Sequence, residues 1–142
     1  MSSAALPAER PIKSYAIVQS DGSLHVQGRT IWLFGAQIPR TGRDCVLRGR
    51  SVECISRETK RALAERIRGF VTCHPQDRYR DKSISAICYV DSGSFQSPPI
   101  DLGAWLIANG LAVASANAPI EYVRLERMAR FYGRGLWEFY ID

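Results

Sequence analysis

Residues 31–40 read IWLFGAQIPR, and the reading of this stretch decides the fold. Ile31, Trp32, Leu33 and Phe34 form a short apolar run of strand-forming residues. The run stops at Gly35, and Pro39 follows. A buried strand that ends this way opens to solvent at a point where polar groups can carry chemistry. The polar groups on offer are Gln37 and Arg40.

The flanking sequence sets this strand third in a meander. Residues 14–20, SYAIVQS, favour a strand, and Asp21-Gly22 is a hairpin signal. In residues 23–28, SLHVQG, Leu24 and Val26 alternate against Ser23, His25 and Gln27. Gly28-Arg29 makes the second turn, and the third strand follows over 30–35. Residues 41–54 carry several charges and read as a loop. Ser56 can then cap a helix, with Glu58 near the positive end of its dipole. Ile55, Thr59, Ala62, Leu63, Ile67 and Phe70 recur at helical spacing, and Gly69 marks the end.

Residues 70–75 and 83–90 read as two more strands joined by the polar loop QDRYRDK, 76–82. Asp101 caps a short helix that stops at Gly110, and 111–115 is a short extended piece. Pro119 opens the last helix, whose inner stripe is Tyr122, Leu125, Glu126, Ala129 and Tyr132. Residues 136–141 pack the end back on the body. Residues 1–12 read as a flexible arm and 13–142 as one domain. Five short strands with a helix between the third and fourth predict an α+β, mainly β, fold: a five-stranded OB-type Greek-key barrel with three helices.

At 142 residues and 46% hydrophobic content, the chain can bury a real core. No apolar run has the length to span a bilayer, so no membrane insertion is expected, and no signal peptide is visible. The net charge is +5. Between Arg29 and Arg80 twelve Arg/Lys stand against five Asp/Glu, whereas Glu121 to Asp142 has four of each. A basic middle attracts polyanions such as nucleic acid, acidic glycans or anionic lipid, although a solvated surface has the same composition. Of the four cysteines none lies in a CxxC pair, which argues against zinc. Three pairings are possible. Cys45 and Cys54 flank a short loop, and Cys73 and Cys88 lie on adjacent predicted strands, so local geometry favours Cys45–Cys54 and Cys73–Cys88. Four buried thiols in a reducing compartment is the competing arrangement.

Several pieces, in order, carry a family likeness: DGSL at 21–24, IWLFGAQIP at 31–39, DRY at 77–79, LIANGLA at 106–112, and EYVRLERMARFYGRGLW at 121–137. Together they resemble a staphylococcal-nuclease-like (thermonuclease) domain from about Ser14 to Trp137. Active members of that family bind calcium and cleave the backbone of DNA and RNA. The resemblance implies an acidic residue where this chain has Ser23, an arginine at Trp32 and a calcium-binding aspartate at Gln37. It implies a small residue or threonine at Ile38 and a glutamate base at Arg40. After DRY it implies a glycine and an arginine, where this chain has Arg80 and Asp81. Lys82 reaches the arginine position only with a one-residue shift. Extracytoplasmic bacterial members often show a similar four-cysteine layout, which adds to the predicted pairing and favours a periplasmic or secreted location.

These substitutions remove every catalytic position that can be mapped. No catalytic residue, metal ligand or cofactor is therefore expected, calcium included, and the expectation leans away from an enzyme. Calcium takes six to eight oxygens, several from carboxylates. Without a carboxylate or histidine, nothing activates water, and without paired arginines the phosphate loses its clamp. The expected function is a non-catalytic module that binds a polyanion, nucleic acid foremost, or a protein partner of unknown identity. The candidate binding cleft comprises Trp32, Gln37, Arg40, Arg78, Tyr79, Arg80 and Lys82. Trp32 and Tyr79 can stack a base, although packing is the commoner role, and the cations can hold phosphate. One alternative is an active phosphodiesterase that uses Asp77, Asp81 and Lys82 in the 77–82 loop. Another is a binder of acidic polysaccharide. His25 and His74 have no motif partner and read as surface or filler residues. Asp77, Asp81 and Asp91 are three carboxylates that could gather around a cation, but Asp77 reads rather as ordering its loop, and Glu126 is expected to pair with an arginine or a tyrosine hydroxyl.

Overall fold

A computed structural model describes residues 10–138 except 48 and 93–95; for 42–44 and 47 only the backbone is described. Most of the expected N-terminal arm and residues 139–142 lie outside this range. Strand β1, Ile12–Val18, shows the alternation that a half-buried strand requires: Ile12, Ser14, Ala16 and Val18 turn inward, while Lys13, Tyr15 and Ile17 are exposed. It pairs with β2, Leu24–Val26, which pairs with β3, Arg29–Leu33. The predicted meander is present.

Strand β4, Ala36–Gln37, is a short continuation. The segment 41–54, expected as a loop, is instead an antiparallel hairpin of β5, Arg40–Leu47, and β6, Arg50–Ile55. Gly49, at φ +78°, immediately precedes β6. A register shift between Arg40 and Asp44 breaks the alternation that would have marked a strand. Helix α1, Arg57–Arg66, starts as expected, with Ser56 Oγ accepting the Thr59 N–H at 3.1 Å. It ends before Gly69, and Phe70 belongs to the next strand.

Strand β7, Phe70–Arg78, runs into the expected 76–82 loop and pairs with β8, Ile84–Val90. A bulge between Pro75 and Asp77 accommodates a proline inside the strand. The sheet runs β3-β2-β1-β7-β8, and a parallel β3–β8 pairing closes it into a five-stranded barrel. Strand β9, Ile100–Asp101, extends β8 at one edge. Helix α2, Leu102–Ala108, is capped by Asp101, and strand β10, Val113–Ala114, pairs with β4. Helix α3, Ile120–Phe131, completes an α+β, mainly β, fold with an OB-type barrel and three helices.

The core fills the barrel with Leu24, Val26, Ile31 and Val71 and seals it with Leu63 of α1 and Leu106 and Ile107 of α2. Cys73 and Cys88 stand directly opposite one another in the β7–β8 register and are disulfide-bonded. Cys45 and Cys54 form the second disulfide, on the β5–β6 hairpin. Tyr122 is buried, and its hydroxyl donates to the Asp101 carboxylate, 2.8 Å from both oxygens. Two members of the α3 stripe depart from expectation. Tyr132 lies past the last helical residue and is 61% exposed. Glu126 accepts the Ala114 N–H at 2.8 Å in place of an arginine or tyrosine partner.

Candidate functional site

The end of the opening stretch forms one wall of a cleft of about 540 Å³. Phe34 N–H donates to Ala86 O at 2.8 Å and holds the chain against β8 as it leaves β3. Gly35 then turns the chain at φ +76°. A Cβ at this position would sit 3.0 Å from Pro119 Cδ and 3.2 Å from the Ala118 Cα, so only glycine lets the turn lie against the start of α3. Gln37 and Arg40 reach the cleft from this wall.

Strand register builds the floor. Trp32 pairs with Ser85 across β3–β8, and Ser85 pairs with Asp77 across β7–β8. These three residues therefore form a row across three strands that faces the cleft. Ser85 Oγ donates to Asp77 Oδ2 at 3.1 Å and accepts the Asp77 N–H at 3.2 Å. Tyr79, Ser115 and Asn117 complete one side, and the Asp21-Gly22 hairpin tip the other. Asp21 is committed to its own turn. Its Oδ1 accepts the Ser23 N–H at 3.0 Å and the Ser23 hydroxyl at 2.6 Å, and that hydroxyl also lies 2.7 Å from Gln19 Oε1. Ser23 is completely buried beneath the tip.

Arg40 is bound on two sides. Its guanidinium carbon lies 5.8 Å from the Trp32 ring centroid, within cation–π range, and its Nη1 donates to Glu53 Oε2 at 3.1 Å. Among the described residues, the charged side chains lining the cleft are thus Arg40 against Asp21, Glu53 and Asp77. Among the expected binding residues, Trp32, Gln37, Arg40 and Tyr79 line the cleft, and Arg78, Arg80 and Lys82 do not. Asp21 and Glu53 are contributors that sequence reasoning missed. Asp21 was visible as half of a turn signal, whereas the position of Glu53 depends on the unforeseen β5–β6 hairpin.

The 77–82 segment divides its side chains. Asp81 belongs to the β7–β8 turn, where its Oδ1 accepts the Ser83 N–H at 2.9 Å and the Ser83 hydroxyl. The Ser83 hydroxyl, then the Ser83 amide, hold the Asp81 carboxyl below its ordinary pKa. Lys82 follows at φ +72° in the left-handed region. Arg78 lines a second concavity, about 710 Å³, at the barrel end where β1 starts and the β2–β3 turn lies. Its other charged lining residues are Arg10, Lys13 and Arg29.

His74 is exposed and meets Tyr89 edge-on, with centroids 5.6 Å apart. His25 is half-buried with its Nδ1 unpaired among the described residues. Asp91 lies in a separate depression with Arg66 and Trp105. Among the described residues no three His, Cys, Asp or Glu side chains gather as a metal cage, and no helix is long and apolar enough to cross a membrane. No protein-family model matches the chain, and no curated protein matches it either.

Proposed function

We propose that this chain is a staphylococcal-nuclease-like domain that no longer hydrolyses phosphodiesters and serves as a binding module for nucleic acid. The observation that carries this reading is the set of side chains at the three positions where the resemblance implies carboxylates. There the chain has the Ser23 hydroxyl, buried outside the cleft lining, and the Gln37 amide and Arg40 guanidinium, which line the cleft. These three groups do not fit calcium, which takes six to eight oxygens with several carboxylates among them. The carboxylates that do line the cleft, Asp21, Glu53 and Asp77, are engaged with Ser23, Arg40 and Ser85, and among the described residues they do not gather as a group that could hold a metal ion. Arg40, paired with Glu53 and stacked over Trp32, is a permanent cation and cannot act as a base. The basic composition supports a polyanionic ligand. The two disulfides support residence in an oxidising compartment, periplasmic or extracellular.

An active site shifted into the 77–82 segment needs Asp77 and Asp81 to act together. Asp77 lines the cleft, whereas Asp81 is engaged with Ser83 outside the cleft lining, which favours the non-catalytic reading. The test is an incubation of labelled single-stranded DNA and RNA with the protein for hours, in calcium or in chelator, beside an active nuclease. The expected result is no cleavage above the chelator control. Calcium-dependent cleavage that co-purifies with the protein and disappears in Asp77→Ala or Asp81→Ala overturns the proposal.

A further inference from the structure

We infer that the ligand is single-stranded nucleic acid held outside the strand-end cleft, by the cationic groove at the barrel end and the aromatic pair beside it. This rests on the binding-module reading above and names the site and the ligand class. The groove is lined by Arg10, Lys13, Arg29 and Arg78, all exposed, and among the described residues no Asp or Glu lines it. Among the described residues the cleft sets three carboxylates against one guanidinium, so a phosphate entering it meets net repulsion from them. Among the described residues, the charged side chains that the same phosphate meets in the groove are cations.

Lys13 links the groove to a stacking surface. Lys13 and Tyr15 share the outward side of β1, roughly 7 Å apart along the strand. Tyr15 stands opposite Phe70 in the β1–β7 register, with ring centroids 4.4 Å apart. Both rings are open to solvent, Tyr15 at 65% and Phe70 at 45% exposure. An exposed aromatic pair beside a cationic groove is the arrangement that holds single strands: cations follow the phosphates while unpaired bases stack on the rings. A duplex keeps its base faces covered and cannot use the rings.

The test is fluorescence anisotropy of labelled thymidine and uridine oligonucleotides, roughly 12 nucleotides long, with the full chain across a salt series. Three phosphate contacts, from Arg10, Lys13 and Arg29, predict a log–log salt slope of about −2.1, or roughly 18-fold weaker binding between about 50 and 200 mM salt. K13A/R29A brings the slope to about −0.7 and that loss to roughly threefold. Tyr15→Ala weakens binding about tenfold with the slope unchanged. R57A/R61A on α1, which removes the same charge elsewhere, leaves the slope near the wild-type value. The melting temperature of each variant verifies folding.

If wild type binds and K13A/R29A binds equally well with the same slope, this inference falls and the binding-module reading stands. Binding that is lost in Arg40→Ala but kept in the groove variants moves the ligand to the cleft and has the same consequence. Equal affinity for a matched duplex, or no effect of Tyr15→Ala, overturns the single-strand assignment. Binding to a heparin fragment but to neither oligonucleotide overturns nucleic acid as the ligand. No binding of wild type to any of these overturns both readings together.

Discussion

Reduction of the two disulfides should be stepwise, and the order follows from burial. Cys73 and Cys88 are fully buried inside the barrel, while Cys45 is half-buried on the peripheral β5–β6 hairpin. A mild reductant therefore opens Cys45–Cys54 in the native protein, whereas Cys73–Cys88 opens only through global unfolding. The sequence separations are 9 and 15 residues. From the loop-closure relation these bridges contribute about 2.6 and about 3.0 kcal/mol. Loss of the first lowers the melting temperature by about 9 °C, taking about 2.1 cal/mol/K of unfolding entropy for each residue of the chain. Loss of both removes about 5.6 kcal/mol, comparable to the whole stability of a small domain, and leaves a chain that unfolds near physiological temperature. The assay is thiol alkylation and mass spectrometry across a reductant series, with thermal melts by circular dichroism on the same samples. Four free thiols in unreduced protein, or Cys73 and Cys88 alkylated before Cys45 and Cys54, would refute the reasoning and remove the argument for an oxidising compartment.

Tyr122→Phe removes a buried hydrogen bond to a carboxylate and should cost about 2 kcal/mol in urea unfolding, while Asp101 keeps its cap on Ala104 N–H. Burial, then the bond to Asp101, raises the Tyr122 pKa far above its usual 10.0, so its contribution is whole below pH 10 and fades as the unfolded chain ionises at higher pH. The alkaline limb of a stability–pH curve should therefore flatten in Tyr122→Phe, and an unchanged limb would count against this assignment. Lys82→Gly relieves a left-handed backbone at a turn position where the first hairpin has Gly22 at φ +90°. The expected gain is about 0.5 kcal/mol after the added entropy of the unfolded chain, read as a higher urea midpoint; a loss would show that the Lys82 side chain makes its own contribution. Asp81 has a lowered folded pKa, so its support for the β7–β8 turn is present above the ordinary carboxylate range and is lost as pH falls through the lowered value. Asp81→Asn should flatten the acid limb, and a limb as steep as wild type would place the titrating group elsewhere.

Much of the scaffold was legible because local chemistry and global position agree in it. The alternation in β1, the caps Ser56 and Asp101 and the Asp21-Gly22 turn each act within a few residues. The facing cysteines needed only a hairpin with the right register. The β5–β6 hairpin was hidden for the opposite reason. Its alternation is interrupted by the register shift after Arg40 and diluted by charged residues, and part of its order comes from a covalent bridge. With that hairpin unseen, Glu53 had no place, and Arg40 read as a cation free to bind phosphate instead of one paired with a carboxylate.

The bulge at Pro75/Asp77 decides the electrostatics of both concavities. Along β7–β8 the partners run from Val71↔Val90 to Pro75↔Ala86, and then shift by one to Asp77↔Ser85 and Arg78↔Ile84. Without that extra residue Gln76 would face Ser85, and Asp77 would take the place opposite Ile84. The bulge therefore sets Asp77 in the Trp32–Ser85 row of the cleft and leaves Arg78 to the groove at the barrel end. Adjacent residues of opposite charge are thereby sorted to different sides of one strand, which a strand read without its register cannot reveal. The net charge of +5 is consequently a poor guide to where a phosphate approaches. At physiological ionic strength charges act over about 8 Å, so nearby side chains decide, and the charged side chains among the described lining residues are mostly acidic in the cleft and basic in the groove.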